Sequence, residues 1–440
     1  MIKVIRNIYH IPELRKRILF TLGMIIVFRI GCNVPIPGVS SQALQDYFQE
    51  TAKGTLLGLF NVFSGGALGR ATVFALGIMP YISSSIIFQL LTTIVPRFEQ
   101  MVKEGGEEGR RKIQRYTRYG TIALSTLQAF GITVWLSNPQ NFSGREIVPM
   151  PGMSFTLMAV VTLVTGTAFL MWLGEQMTER GIGNGISLII FFGIADRIPA
   201  DVLTTWQRYS MMPRQEAKWF EISLLLGLMV ATTAAVVLVT QAQRRIPVQR
   251  ARVVRGRQVY SGSSSYLPLR VNQAGVLPII FAQSLIMFPA TIGQMVRLNA
   301  VMKIASYLSP GQVIYELLYM GLIVFFCYFY TAIIFNPVDV ADNMKKYGSF
   351  IPGTRPGRST AIYLDKVMTR ITLPGAMFLA IIAVVPTIFM RLFNVTFYFG
   401  GTSLLILVGV ALDTMKQIES HLQMRHYEGF LKKGKLRGRK

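Results

Sequence analysis

An all-α integral membrane fold is predicted for this 440-residue chain by three observations: 51% of its residues are apolar, only 15% are charged, and long apolar segments alternate with basic or Gly/Pro-rich stretches. A soluble chain of this length would form two or three domains, and this one lacks the polar residues to cover their surfaces. A helix rising about 1.5 Å per residue needs about 20 mostly apolar residues to cross roughly 30 Å of hydrocarbon. Such segments recur at residues 18–36, 71–95, 119–136, 153–174, 183–203, 219–241, 273–296, 313–335, 371–390 and 399–418. Ten spans are therefore expected, with the fifth and ninth least sharply bounded.

The first span begins like a signal peptide, with Lys3, Arg6, Arg15, Lys16 and Arg17 ahead of an apolar run. Ile30-Gly31-Cys32 is faintly similar to a lipoprotein cleavage box, but Arg29 interrupts it, so an uncleaved span is expected. Across the chain, 45 Lys and Arg face 21 Asp and Glu, a net charge of +24. Most of the basic residues fall in the N-terminus, the even-numbered loops and the C-terminal tail. By the positive-inside rule both termini are cytoplasmic, together with the loops at 97–118, 242–272 and 336–370. The loop at 204–218 mildly opposes this pattern. Because the charge follows topology, nucleic-acid binding is not expected, apart from a contact with ribosomal RNA through one loop.

Five spans cross the membrane an odd number of times, so a second five would begin on the opposite side. Residues 1–203 and 204–440 are then two inverted halves, an arrangement that places a pathway at the interface between repeats. The stretch from Leu56 to Arg70 is apolar and then broken by Ser64-Gly65-Gly66, too short to span. Irregular backbone at membrane depth is tolerated where it is buried in protein or lines a wet cavity. The residues leave two readings open, a half-inserted element or an interfacial loop.

Catalytic chemistry finds little material. His10, His421 and His426 are the only histidines, which disfavours a His-based triad or an intramembrane metal site. Cys32 and Cys327 each lie in an apolar stretch and read as packing residues. The tail from Gly429 to Lys435 has phosphate-loop spacing, but Leu436 stands where a Ser or Thr would bind magnesium and no strand precedes it. Gly181, Gly183 and Gly185 join two apolar helices and read as a tight turn, with Glu175, Glu179 and Arg180 at its solvated edge. No enzyme activity and no cofactor are expected. Intramembrane charge is limited mainly to Arg29 and Asp413, which pairing or snorkelling explains. An ion-coupled secondary transporter of a small solute stands as the alternative function.

Six motifs then occur in order along the chain: FSGGALGRATVFALGIMPYISSSIIFQLLTTIVP (63–96), EEGRRKIQRYTRYGT (107–121), GEQMTERGIGNGISLIIF (174–191), VNQAGVLPIIFAQS (271–284), GSFIPGTRPG (348–357) and FYFGGTSLLILVGVALD (397–413). Together they resemble the SecY family of protein-conducting channels over nearly the full chain. Only the loops at 137–152, 204–218 and 297–312 look unfamiliar. The resemblance implies two pseudo-symmetric inverted five-helix halves around a central pore, closed by a short plug helix at about 56–70. The implied activity is secretion of unfolded polypeptides across the bacterial plasma membrane and lateral insertion of membrane proteins. Implied partners are SecE and SecG, the motor ATPase SecA, the ribosome, SecDF, YidC, signal-bearing polypeptides and lipid.

Site residues are implied by the same matches. Ile78, Ile82, Ile186, Ile190, Ile280 and Ile406 match the pore ring, and the spacing of four within 78/82 and 186/190 puts each pair on one helix face. Lipid-facing or core positions are the alternative for any such isoleucine. The plug match covers Phe60, Asn61, Phe63, Ser64, Gly65, Gly66 and Arg70. Gln89 and Asn272 fall in or beside helices expected to part sideways, either bonding across that seam or serving ordinary helix packing. Arg355 sits in Ile351-Pro-Gly-Thr-Arg-Pro-Gly357, where prolines restrict the backbone and glycines permit turns, so its guanidinium is expected on a rigid tip. Lys345, Lys346, Arg358, Arg244 and Arg245 would broaden this docking field for SecA or the ribosome. Arg250 and Arg358 depart from the family pattern.

Overall fold

The computed structural model describes residues 11–50, 56–142, 144–210, 215–250, 253–255, 258–260, 264–295, 312–392 and 401–434. The chain is predominantly helical and divides into two compact units. The first comprises Met1–Met211, Gln283–Tyr315 and Val410–Lys440, and the second Met212–Ala282 and Glu316–Gly409.

The first unit opens with α1 (Pro12–Gly31) and α2 (Ser41–Glu50), followed by the short α3 (Leu56–Phe63). The apolar segment at 71–95 is only partly helical: residues 64–78 are turns, and α4 (Met79–Ile94) starts where Pro80 occupies the first turn, a place where its missing N–H costs nothing. At Val95 the chain turns by 91° into α5 (Pro96–Glu104). The long α6 (Gly106–Leu136) and α7 (Met153–Arg180) follow, then α8 (Gly185–Ala195) and α9 (Arg197–Ser210). With 11 residues α8 rises about 16 Å, so the fifth apolar segment is a broken element rather than one straight span.

Helices α4, α6 and α7 pack in series, and α1 and α8 lie against α7. Close approach depends on small residues. Ser84 Oγ of α4 donates to the Thr117 carbonyl of α6 at 2.8 Å, and a side chain at Gly120 would strike Ser84 and Phe88. Without a hydrophobic drive between helices in lipid, such contacts supply the association.

The second unit holds α10 (Gln215–Gln241), a β-hairpin module, the start of α11 (Leu277–Met295), most of α12 (Val313–Ile334), α13 (Pro337–Lys346), α14 (Arg358–Leu392) and the start of α15 (Gly401–Gly434). The basic loop at 242–272 forms β1 (Gln243–Arg250) antiparallel to β4 (Ser264–Arg270), with Ile246 opposite Leu267. Strands β2 (Val253–Arg255) and β3 (Gln258–Tyr260) extend this loop as a separate pair. Strand β5 (Ser349–Phe350) adds to the other edge of β1, Arg250 opposite Ser349. The module has its own core: Ile246, Val248 and Leu269 from the strands pack with Ile351 and with Leu364, Val367, Met368 and Ile371 of α14.

Every one of the ten apolar segments coincides with at least one helix. Among the described residues, α6, α7, α12 and α14 and the stretch Ile222–Gln241 are long and apolar enough to cross a bilayer, and α4 with α5 forms one bent candidate. At 35 residues α14 extends about 52 Å, more than the bilayer needs, so its Arg358–Arg370 end is free to build the module's core. At the other end of the chain, α15 stays helical through Gly434, so the phosphate-loop spacing falls on a helix; Lys435 and Leu436 lie outside the described residues.

Candidate pore, plug and docking surfaces

Residues 57–78 form a largely buried element of the first unit. Phe60, Asn61, Phe63 and Ser64 are almost fully buried. The turn after α3 is tied by its own polar atoms. Gly69 N donates to Asn61 Oδ1 at 2.8 Å, Gly66 N to the Asn61 carbonyl at 2.8 Å, and Leu68 N to Ser64 Oγ at 3.3 Å. Buried backbone is thus satisfied by side chains and turns, with one bridge between Thr72 and Pro35. Gly65, at φ +69°, lies with its backbone against α8: a Cβ there would meet Gly193 Cα at 3.2 Å. Arg197 covers Gly66, and Arg70 donates to Asn33 Oδ1 at 2.7 Å at the end of α1. Ala71, at φ +47°, accepts from Ile36 N at 2.8 Å, pinning the exit of the element in a conformation that disfavours a side chain.

Ile78 caps α4 and Ile82 lies one turn on, both buried; on α8, Ile190 is buried and Ile186 half-buried. Ile280 on α11 and Ile406 on α15 are buried in the second unit. The structure therefore places four of the six in the first unit and two in the second. Of the two amides expected near a lateral seam, Gln89 is half-buried and its Nε2 donates to Ser85 Oγ at 2.9 Å. Asn272 is buried, and its Nδ2 donates to the Gly275 carbonyl at 2.9 Å, holding the turn that leads into α11.

The Gly181–Gly185 segment is the expected tight turn: Asn184 caps α8 by accepting from Ile186 N and Ser187 N at 3.1 and 3.3 Å, and Gly183 N donates to Gln417 Oε1 at 2.8 Å. Glu179 and Arg180 are exposed there, but Glu175 is not at a solvated edge. Its side chain is 9% exposed. Arg118 grips it side-on, Nε to Oε1 at 3.0 Å and Nη2 to Oε2 at 2.8 Å, and Gln114 Nε2 donates to Oε1 at 3.2 Å. A carboxylate one turn into an apolar helix is buried when a neighbouring helix supplies a planar fork, and the partner here is 57 residues away. Arg29 is likewise paired, with Asp196 at the end of α8.

Arg355, Arg358, Lys345, Lys346, Arg244 and Arg245 are all exposed on the second unit. The tip carrying Arg355 is held at both ends. Ile351 is buried in the module core, Thr354 N and Oγ1 both donate to its carbonyl at 3.1 Å, and Thr360 Oγ1 donates to the Arg355 carbonyl at 2.9 Å. Gly353 and Gly357, at φ +84° and +98°, make the reversals. Lys345 and Lys346 end α13, where cations complement the helix dipole. On β1 the period of two separates the arginines: Arg244 shares the face of buried Ile246 and Val248, and Arg245 takes the other.

A helical membrane protein with a buried plug-like turn has solved counterparts among protein-conducting channels. The structure aligns with one described as a protein conducting channel at a TM-score of 0.60, with 17% identity and 92% of each chain covered. It also aligns with Sec61 of the canine ribosome-channel complex from the endoplasmic reticulum at 0.55, with 16% identity and 92% of each chain covered. The SecY family model matches residues 72–415. Protein translocase subunit SecY of Escherichia coli K12 is 51% identical over 431 residues, 97% of this chain and 96% of the relative. The SecY of Aquifex aeolicus is 44% identical over 433 residues, 98% of this chain and all of the relative. The chain belongs to the SecY family.

Proposed function

We propose that this chain is the central, pore-forming subunit through which unfolded polypeptides cross the bacterial plasma membrane and from which membrane spans pass sideways into lipid. The observation that carries the reading is the buried turn at residues 64–78, within a chain similar end to end to translocase subunits. Turned backbone, satisfied mostly by its own polar atoms, joined to residues 34–36 by a single bridge and seated against α8, suits a stopper that must leave without tearing a helix or sheet apart. Ile78, Ile82, Ile186, Ile190, Ile280 and Ile406 form the constriction in this reading, a dewetted apolar collar that resists ions and yields to a chain. Gln89 and Asn272 border the lateral seam. Residues 1–203 and 204–440 are the two inverted halves, and the basic ends and loops face the cytoplasm.

Arg355 and its basic neighbours would dock SecA or the ribosome, and SecE and SecG would complete the channel, with SecDF and YidC as accessories. The burial of Ile351 beneath the tip supports this role, since a guanidinium on an anchored turn loses less freedom on binding. Co-purification with SecE, followed by SecA-driven transport of a precursor into proteoliposomes, tests the reading. Ion-coupled uptake of a small solute without precursor transport would replace it by the transporter alternative. Reporter fusions test topology: high activity of a periplasm-dependent phosphatase after Lys440 would reverse it.

A further inference from the structure

Beside the β-hairpin module, the second unit has a half-open cavity of about 610 Å³ whose polar lining is Gln243, Arg244, Tyr363, Lys366 and Arg370, with Pro374 on its apolar side. No Asp or Glu lines it, and none of the three cations makes an ion pair among the described residues. The cavity lies where the apolar parts of α10 and α14 end, next to Ala242 and Ile371. Arg244 reaches it because β1 turns its even-numbered residues toward α14. On α14, Lys366, Arg370 and Pro374 follow at steps of four along one face. That face continues through Met377, Ile381, Val385 and Ile388, each more than a third exposed. From Pro374 to Ile388 the stripe runs about 21 Å, longer than the roughly 15 Å of one leaflet's hydrocarbon.

A basic, carboxylate-free cavity at the mouth of an exposed apolar stripe has the polarity of an amphiphile written along one helix. A protein partner's acidic surface would match the cations but not the stripe, and a free anion would leave it unused. We propose that this cavity binds the phosphodiester headgroup of an anionic phospholipid, with an acyl chain along Met377, Ile381, Val385 and Ile388. Arg244 supplies a planar fork and Lys366 and Arg370 supply two further charges, so the phosphate joins β1 to α14 at the membrane edge. The site depends on the membrane-embedded fold and not on transport, so its test needs no transport assay.

The full-length chain, purified in an uncharged detergent and delipidated, is titrated with phosphatidylglycerol, phosphatidylcholine or inorganic phosphate. Bound lipid is counted by native mass spectrometry and the thermal midpoint is read alongside. Phosphatidylglycerol is expected to bind at least about tenfold more tightly than phosphatidylcholine and to raise the midpoint. Each cation near an anionic headgroup contributes about fivefold, so Arg244→Gln/Lys366→Gln/Arg370→Gln should weaken binding on the order of a hundredfold. The charge-matched Arg110→Gln/Arg111→Gln/Lys112→Gln, in the first unit, should bind as the natural chain does. If the triple cavity variant fails to fold, exposed Lys366→Gln alone should lose about fivefold. Equal loss in the charge-matched control, or undiminished binding by the cavity variants, would overturn the site. Displacement of phosphatidylglycerol by equimolar inorganic phosphate would overturn its assignment to lipid.

Discussion

Gly65 offers the sharpest test of the plug seat, because the structure separates two costs of adding a single methyl group there. In Gly65→Ala the new Cβ is forced into a left-handed conformation at φ +69°, about 1–2 kcal/mol for an L-residue. It also presses on Gly193 Cα at 3.2 Å, a contact that can be relieved only by shifting backbone. Together these come to about 1–3 kcal/mol against the seated plug. At 1.4 kcal/mol per tenfold, the unseated population rises about five- to a hundredfold. Gly193→Ala makes the same contact from the other side, at 3.3 Å to Gly65 Cα, but its backbone is helical. There alanine is favoured over glycine by about 0.8–1 kcal/mol, which offsets the crowding. The assay is resting ion conductance of the reconstituted channel in planar bilayers, with protein insertion quantified for each variant. Gly65→Ala should leak and Gly193→Ala should stay within about threefold of the natural chain. Equal leakage from both would refute the backbone argument, and unchanged conductance from a correctly folded Gly65→Ala channel would refute the seat as a seal.

Three further outcomes follow. Arg355→Glu should cut SecA-driven precursor transport at least about tenfold at physiological salt while SecE association persists, and Arg355→Lys should be intermediate if fork geometry matters; transport at the natural rate by the assembled Arg355→Glu channel would reduce the residue to a topology charge. Arg118→Leu leaves the buried Glu175 carboxylate with Gln114 as its remaining donor and should cost about 2–4 kcal/mol; because Arg118 is itself 45% exposed, Glu175→Gln should cost less, and thermal unfolding in detergent that ranks the two the other way would contradict the assigned burial. Leu364→Ala empties a fully buried position in the module core and should destabilise by about 2–5 kcal/mol, read as faster proteolysis between Gln243 and Arg270 with the first unit unaffected; equal proteolysis of both units would argue against a separate core.

Much of this protein is legible along the chain because the bilayer imposes a local rule. A helix that must cross hydrocarbon has to be apolar for about 20 residues wherever it sits in the fold, so such segments announce themselves without knowledge of their neighbours. The Gly181–Gly185 turn is legible for the same reason, since glycine and an Asn cap act within a few residues. Strands β1 and β4 escaped because the apolar residues they bury are few, Ile246, Val248 and Leu269, and these gain their value from Leu364 and Met368, about a hundred residues away in the same core. The break in the fifth segment and the turned start of the second escaped too, because composition reports hydropathy and not backbone direction. Glu175 reads as a surface charge until α6 is known to carry Arg118 past it. Hydropathy belongs to single residues, and the sequence by itself determines it. Electrostatic partners, cavities and the seat of the plug belong to pairs of distant segments, and only tertiary packing, which decides which helix faces meet, could determine those.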